Sequence, residues 1–134
     1  MTRDEIIDII RSKRDLGKSV FICGNGGSAA NAEHFATDLF KKGVRAYCLG
    51  SNSSIITMIA NDYGYENIFS LQLRIYAKPG DLVVLISCSG TSANIVKARK
   101  ISKLEYVEIY GGEGSYEDME SAHSALLHKI SEAL

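Results

Sequence analysis

Short apolar strands alternate with helix-like segments along the chain, and this alternation constrains the fold more than any other feature of the sequence. The strand-like runs are rich in β-branched residues and are bounded by glycine or polar residues. They are "SVFIC" (19–23), "RAYCL" (45–49), "DLVVLIS" (81–87) and "YVEIY" (106–110). Because parallel sheets are covered by helices on both faces, the sequence predicts an α/β protein with three α/β/α layers.

The segments between these strands have helical start and stop signals. "TRDE" places Thr2 three residues before Glu5, a capping-box pattern that predicts a first helix to about Leu16, ended by Gly17. "SAANAEHFATDLFKK" (28–42) carries one apolar stripe and is ended by Gly43. The other predicted helices are "SSIITMIAND" (53–62), "ENIFSLQLRIYA" (66–77), "TSANIVKARKIS" (91–102) and "SYEDMESAHSALLHKISEAL" (115–134).

Composition places the chain among ordinary globular proteins. Its 134 residues suffice for one domain, and the net charge of −1 does not point to nucleic acid or to an anionic membrane as a partner. No apolar run approaches the roughly 20 residues that span a bilayer. Cys23, Cys48 and Cys88 are odd in number and lack CxxC spacing, which favours reduced thiols. We therefore expect one cytoplasmic domain over 1–134, with an N-terminal helix (1–17) and an α/β core (18–134).

Two loops after predicted strands combine glycine with short polar side chains. We call "GNGGS" (24–28) the glycine loop and "SCSGTS" (87–92) the serine loop. Each places backbone N–H groups and hydroxyls at a helix N-terminus, where anions bind readily. Turn and capping chemistry alone explains one such loop. Two of them at strand carboxyl ends, where α/β sheets bind ligands, favour an anion site.

The anion need not belong to a dinucleotide. Gly24, Gly26 and Ala29 satisfy the GxGxxG/A pattern, but the dinucleotide motif needs an acidic residue about 20 positions on. "RAYCLGSNSS" (45–54) contains no acid there, and no Lys-Ser/Thr pair follows either loop as a P-loop requires. A cradle of amides and hydroxyls without lysine favours a phosphomonoester on a small polyol.

Four separated motifs carry a family resemblance. "GNGGSAANAEHFATDL", "ANDYG", "ISCSGTSANIVKA" and "MESAHSALLH" resemble sugar isomerase (SIS) domains, specifically the phosphoheptose isomerase group, over roughly residues 20–134. The resemblance implies a flavodoxin-like parallel sheet and a homo-oligomer, usually a tetramer, with active sites near subunit interfaces. It also implies interconversion of sedoheptulose 7-phosphate and D-glycero-D-manno-heptose 7-phosphate through an enediol, and in many members a zinc ion.

The resemblance implies a set of substrate-binding positions in both loops. Asn25 and Ser28 stand at substrate contacts, the serine loop holds the phosphate, and Asp62 hydrogen-bonds the sugar. The full predicted set is Asn25, Gly26, Gly27, Ser28, Asp62, Ser87, Ser89, Thr91, Ser92 and Glu120.

The resemblance also implies a catalytic and metal-binding set. His34, Asp38, Glu120 and His128 stand at the positions that bind zinc, with Asp38 as the base and His128 as the opposing acid or base. His34 and Asp38 are four residues apart and share a helix face. Glu120 and His128 are eight apart, about 80° around a helix. Imidazole and carboxylate are ordinary zinc ligands, although without the family resemblance a His-x3-Asp pair is more typical of a solvated helix face.

The chain departs from the family pattern at several points. Asp38 replaces a longer glutamate, and Glu120 adds a negative charge where a glutamine is usual. The N-terminal helical region is reduced to 2–16, and there is room for only one strand after the helix at 91–102 where the family has two. We therefore expect a shortened sheet and either a dimer or a tetramer.

A second class of function stays open at this stage. A non-catalytic SIS domain that binds sugar phosphates or another protein would share the fold, and a DnaA-binding member also reads "SAANA" after its glycine loop. Glu120 and His128 favour catalysis, because a scaffold needs neither. Of the other polar residues, we expect His123 to be a partly exposed helix residue, Cys88 to act as a small residue, and Tyr63 and Tyr65 to serve packing.

Overall fold

The computed structural model describes residues 1–101 and 104–134, and every predicted strand and helix is present within them. The helices are α1 Arg3–Asp15, α2 Gly27–Lys41, α3 Ser53–Tyr63, α4 Ser70–Tyr76, α5 Ala93–Arg99 and α6 Tyr116–Glu132; the strands are β1 Ser19–Gly24, β2 Arg45–Cys48, β3 Leu82–Ser87 and β4 Glu105–Tyr110. Ser102, the last residue of the predicted helix 91–102, lies outside the described residues. No helix in the described ranges combines the length and apolarity needed to cross a bilayer.

The four strands form one parallel sheet in the order β2-β1-β3-β4. Every residue of β3 is buried, as its continuous apolar run predicts. Gly24, the last residue of β1, pairs with Ile86 near the end of β3. The glycine and serine loops therefore begin side by side at the carboxyl edge of the sheet. The 2-1-3-4 order is that of flavodoxin-like sheets, which confirms the predicted fold class.

Helices cover both faces of the sheet and create two apolar cores. One core joins α1, α2 and α6 to the sheet, with Ile10, Leu39 and Ile130 fully buried in it. The other core lies beneath α3, α4 and α5, around Phe69 and Leu73. This three-layer arrangement is the predicted one, and it fixes α2 and α6 on the same face.

Capping boxes define where α1 and α6 begin. The predicted box of α1 is present, since Glu5 N–H donates to Thr2 Oγ1 over 3.1 Å. A second box at α6 has Asp118 N–H donating to Ser115 Oγ over 3.1 Å and Ser115 N–H donating to Asp118 Oδ2 over 2.9 Å. The Ser115 hydrogen bonds lower the pKa of Asp118, so its carboxylate stays ionised at the positive end of the α6 dipole.

The helix predicted over 66–77 is shorter in the structure. Gly64, with φ of 100°, ends α3, and a 3₁₀ turn over Tyr65–Asn67 precedes α4. The amide of Gln72 donates to the carbonyls of Ile68 and Leu49, both over 2.8 Å. Gln72 therefore satisfies a backbone acceptor between the 3₁₀ turn and α4 and connects this segment to Leu49, the residue after β2.

Because β4 pairs directly with β3, its side chains lie against the serine loop. The sheet of the described residues has one strand after α5, as the spacing predicts. The Arg99 guanidinium donates to the carbonyl of Gly90 over 2.9 Å and pairs with the carboxylate of Glu108 on β4. A Cβ at Gly90, where φ is 70°, would lie 3.2 Å from the Tyr110 ring. Arg99 and the side chains of β4 thus hold the serine loop in place at Gly90.

We expect Arg99→Met to lower the free energy of unfolding by about 1–2 kcal/mol, because Glu108 would keep a largely covered charge without its partner. The measurement is urea unfolding followed by circular dichroism. Lys100→Met is the matched control, since Lys100 is exposed and its side chain has no ion pair among the described residues. Equal stabilities of the two variants would contradict the role given to Arg99.

Candidate active site

The two loops form one cleft at the carboxyl edge of the sheet. Its volume is about 230 Å³, and it lies between the glycine loop, the serine loop and the start of α6. The lining residues are Asn25, Gly26, Gly27, Ser28, Ser87, Cys88, Ser89, Ser92, Tyr116 and Glu120. Most of the predicted substrate-binding residues are therefore brought together, although each role remains a prediction.

Two predicted substrate-binding residues do not line this cleft. Asp62 is exposed near the end of α3, where Oδ1 accepts a hydrogen bond from Asn61 Nδ2 over 2.8 Å. Thr91 is exposed within the serine loop, and its N–H donates to Ser89 Oγ over 3.2 Å.

Glycine is needed in the glycine loop for steric reasons. A Cβ at Gly24 would lie 2.5 Å from the carbonyl oxygen of Ser28, which is backbone and cannot move aside. Gly26, the N-cap of α2, has φ of 56° and offers no side chain to the first turn. The start of this 15-residue helix therefore lacks a side-chain cap and lies against the cleft, where its dipole favours an anion.

Glu120 lines the cleft, and its carboxylate lies against Gly27. A Cβ at Gly27 would overlap the Glu120 carboxylate, so this glycine provides the space for that side chain. The backbone carbonyl of Glu120 accepts a hydrogen bond from Asn31 Nδ2 over 3.0 Å, which links α6 to α2.

The serine loop is held by its own hydroxyls as well as by Arg99. Ser87 is buried, and its Oγ accepts a hydrogen bond from the N–H of Gly90 over 2.9 Å. Ser89 is exposed and Ser92 is half-buried at the cap of α5, and both line the cleft. Two serine side chains are therefore available to a ligand, while the buried one shapes the loop.

His34, Asp38 and His128 form a cluster where α2 packs on α6. His128 Nε2 lies 3.2 Å from His34 Nε2, and Asp38 Oδ2 lies 3.4 Å from His34 Nε2 and 3.9 Å from His128 Nε2. The Asp38 side chain is 18% exposed, against 61% for His34 and 45% for His128. The carboxylate thus sits deeper than both imidazoles, which meet edge-on with ring centroids 4.7 Å apart.

These three side chains could hold a metal ion. One ligand atom from each lies within 4.8 Å of the others. A tetrahedral ion with bonds of about 2.0–2.1 Å needs donor atoms about 3.3 Å apart, close to the separations in this cluster. Glu120, the fourth predicted ligand, is not part of this group and lies beside Gly27 instead. The sequence therefore identified three members of a potential metal site, and the structure separates the fourth from them.

Three expectations about other residues are wrong. His123 is buried rather than partly exposed, with 5% of its surface accessible and Nε2 2.8 Å from the carbonyl oxygen of Gly111. Tyr63 and Tyr65 are 61% and 57% exposed, so packing does not explain them. The Tyr65 hydroxyl instead donates to Asn25 Oδ1 over 3.1 Å. The sequence gives no signal for this contact, which joins residues that are 40 positions apart.

The cysteines have different surroundings. Complete burial raises the pKa of the Cys23 thiol well above its ordinary value, so this group stays protonated within the core. Cys88 is half-buried in the serine loop, and its Sγ lies 3.8 Å from the carbonyl oxygen of Tyr116. Cys88 therefore connects the serine loop to the start of α6.

Two curated relatives of this chain are named as phosphoheptose isomerases. A phosphoheptose isomerase from Geotalea daltonii is 44% identical over 99 residues, which are 69% of this chain and 52% of the relative. A probable phosphoheptose isomerase from Thermoplasma acidophilum is 45% identical over 104 residues, 73% of this chain and 57% of the relative. The chain thus spans about half the length of the curated relatives it matches.

Solved structures and a family model agree on the fold. The phosphoheptose isomerase from Neisseria gonorrhoeae superposes with a TM-score of 0.94 at 27% identity, over 98% of this chain and 83% of that one. The phosphoheptose isomerase from Francisella tularensis gives 0.90 at 23% identity, over 97% and 82%, and supports the fold alone. The SIS domain model matches residues 4–111. The chain therefore belongs to the SIS domain family.

Proposed function

We propose that this chain is an aldose–ketose isomerase that converts sedoheptulose 7-phosphate to D-glycero-D-manno-heptose 7-phosphate through an enediol. One observation carries the proposal: α2 and α6 contribute both to a cleft lined by serine hydroxyls and the uncapped start of α2 and to a cluster of carboxylate and imidazole groups further along the two helices. The names of the two curated relatives described above support a heptose phosphate as the substrate. The activity is proposed for a single SIS domain over residues 1–134.

The spacing between cleft and cluster suits an extended seven-carbon sugar phosphate. Gly27 and His34 are seven positions apart on α2, a rise of about 10 Å. Glu120 and His128 are eight positions apart on α6, a rise of about 12 Å. A sugar with its phosphate in the cleft would therefore bring its carbonyl end towards the cluster.

In this proposal the phosphate binds without a cationic side chain. None of the residues that line the cleft is lysine or arginine. The uncapped start of α2 supplies N–H groups and a positive dipole end, and the hydroxyls of Ser89 and Ser92 donate further hydrogen bonds. We assign Glu120 to the sugar, because its carboxylate over Gly27 can accept hydrogen bonds from substrate hydroxyls.

Asp38 and His128 move the protons. Asp38 takes the proton from C1 of the ketose and returns it to C2, while His128 carries a proton between the two oxygens. Asp38 Oδ2 is the oxygen that faces both histidines, so Oδ1 remains available for the carbon-bound proton. His34, one helical turn before Asp38 on α2, orients this carboxylate.

We propose zinc as the ion for His34, Asp38 and His128, since two imidazoles and a carboxylate are typical of its ligand sets. A bound zinc supplies Lewis acidity that polarises a carbonyl oxygen. In this proposal the protons are transferred by Asp38 and His128, and no proton transfer is assigned to the zinc.

The proposal is tested by incubating the purified protein with sedoheptulose 7-phosphate, with and without added zinc, and following the aldose formed. We expect turnover in at least one condition, and zinc should raise the rate if the cluster binds it. Binding of the sugar phosphate without turnover in either condition would refute catalysis and favour the non-catalytic SIS domain.

We expect Asp38→Asn to reduce kcat by about 10²–10⁴-fold, the range for loss of a general base, with little change in substrate affinity. Ser89→Ala serves as the contrasting variant. It should weaken phosphate affinity by about two- to tenfold through loss of one hydrogen bond and leave kcat largely unchanged. Steady-state kinetics measure both, and an active Asp38→Asn would show that the base is another group.

We also propose that the chain forms a dimer or a tetramer with its active sites near subunit interfaces. Large aromatic side chains are exposed at several places: Tyr116 lines the cleft and is 62% exposed, Tyr110 on β4 is 61% exposed, and Phe40 on α2 is 75% exposed. Exposed aromatic side chains are enriched at protein interfaces. Light scattering should give a multiple of 14.6 kDa, and a mass of 14.6 kDa would contradict the proposal.

A further inference from the structure

The side-chain amide of Asn25 is almost fully hydrogen-bonded by the protein. Its Nδ2 donates to Asn94 Oδ1, and Asn94 Nδ2 donates back to Asn25 Oδ1, both over 2.9 Å. The Tyr65 hydroxyl donates to the same Asn25 oxygen over 3.1 Å. A carboxamide has two acceptor sites and two N–H donors. Three of these are used, and one N–H remains for a ligand in the cleft that Asn25 lines.

The pair of asparagines alone does not decide which atom of Asn25 faces the cleft. If both amides rotate by 180°, the two reciprocal hydrogen bonds form again with donors and acceptors exchanged. Tyr65 removes this equivalence. A phenol hydroxyl is a better donor than acceptor, so it favours the orientation in which Asn25 presents oxygen to Tyr65.

The partners of Asn25 are held by connected parts of the fold. Asn94 is 1% exposed in the first turn of α5. Tyr65 begins the 3₁₀ turn, whose Asn67 accepts a hydrogen bond from Lys97 Nζ on α5 over 3.1 Å and donates to the carbonyl of Tyr63 over 2.7 Å. The turn that carries Tyr65 is therefore anchored to the helix that carries Asn94.

We propose that Tyr65 is a positioning residue that fixes the amide of Asn25 so that its free N–H donates to an oxygen of the sugar chain. The inference rests on the proposed function, because it assigns this donor to the sugar and leaves the phosphate to the start of α2 and the serine loop. Tyr65 acts through Asn25 and needs no contact with the substrate.

The first experiment uses the ligand-free protein and follows the side-chain amide signals of Asn25 by ¹H–¹⁵N NMR. Tyr65→Phe removes only a hydroxyl from a side chain that is 57% exposed, so the fold should persist. We expect the Asn25 amide signals to shift or broaden. Tyr63→Phe is the matched control, because this neighbouring ring is 61% exposed and its hydroxyl has no hydrogen-bond partner among the described residues. Unchanged Asn25 signals in Tyr65→Phe would overturn the proposal.

The second experiment compares binding of sedoheptulose 7-phosphate with binding of inorganic phosphate. Tyr65→Phe should lower the affinity for the sugar phosphate by about two- to tenfold, which is the effect of one hydrogen bond. The affinity for inorganic phosphate should stay unchanged. In an Asn25→Ala background the same substitution should have no further effect on the affinity. An equal loss for both ligands, or a full effect without Asn25, would overturn the proposal.

The two experiments separate this inference from the proposed function. If the wild-type protein binds no sugar phosphate, the proposed function fails, while the amide spectrum still tests whether Tyr65 fixes Asn25. If the wild type binds and isomerises the sugar but the Tyr65→Phe and Tyr63→Phe variants match it, the proposed function holds and the role of Tyr65 is refuted.

Discussion

The pairing of β1 with β3 is the constraint on which the rest of the site depends. These strands are distant in sequence, yet their parallel register places Gly24 beside Ile86, so the glycine and serine loops leave the sheet together. Both strands are almost wholly buried. A shift in the register between them would therefore disrupt the packing of their buried side chains, so the register is strongly specified. The position of the cleft is therefore determined by apolar burial in the core. The polar residues of the two loops line the cleft but do not determine where it lies.

The packing of α2 on α6 is the second constraint, and it brings together the residues proposed for catalysis. Asn31 on α2 donates to the backbone of Glu120 on α6, between the cleft and the histidine cluster. A movement of α6 along α2 would therefore displace Glu120 from Gly27 and His128 from Asp38 at once. The groups proposed for sugar binding and for proton transfer therefore depend on the same helix interface.

Sequence reasoning succeeded where local patterns decide the outcome. The continuous apolar run of "DLVVLIS" identified β3, the capping box at Thr2 identified α1, and i,i+4 spacing placed His34 beside Asp38. It failed where a side chain is placed by distant packing. Burial of His123 depends on the carbonyl of Gly111 in the loop before α6, and Tyr65 reaches Asn25 only because the 3₁₀ turn rests on α5.

The shortened sheet has a physical consequence of its own. Because β4 lies directly beside β3, Glu108 and Tyr110 occupy the space behind the serine loop, and the carboxylate of Glu108 is balanced by Arg99. Arg99 also donates to the carbonyl of Gly90, so the charge that neutralises Glu108 also fixes the loop. Its guanidinium is not among the groups that line the cleft. This chain thus supports the serine loop with an ion pair between α5 and β4, and a ligand in the cleft would meet the hydroxyls of that loop, the Glu120 carboxylate and the positive end of the α2 dipole.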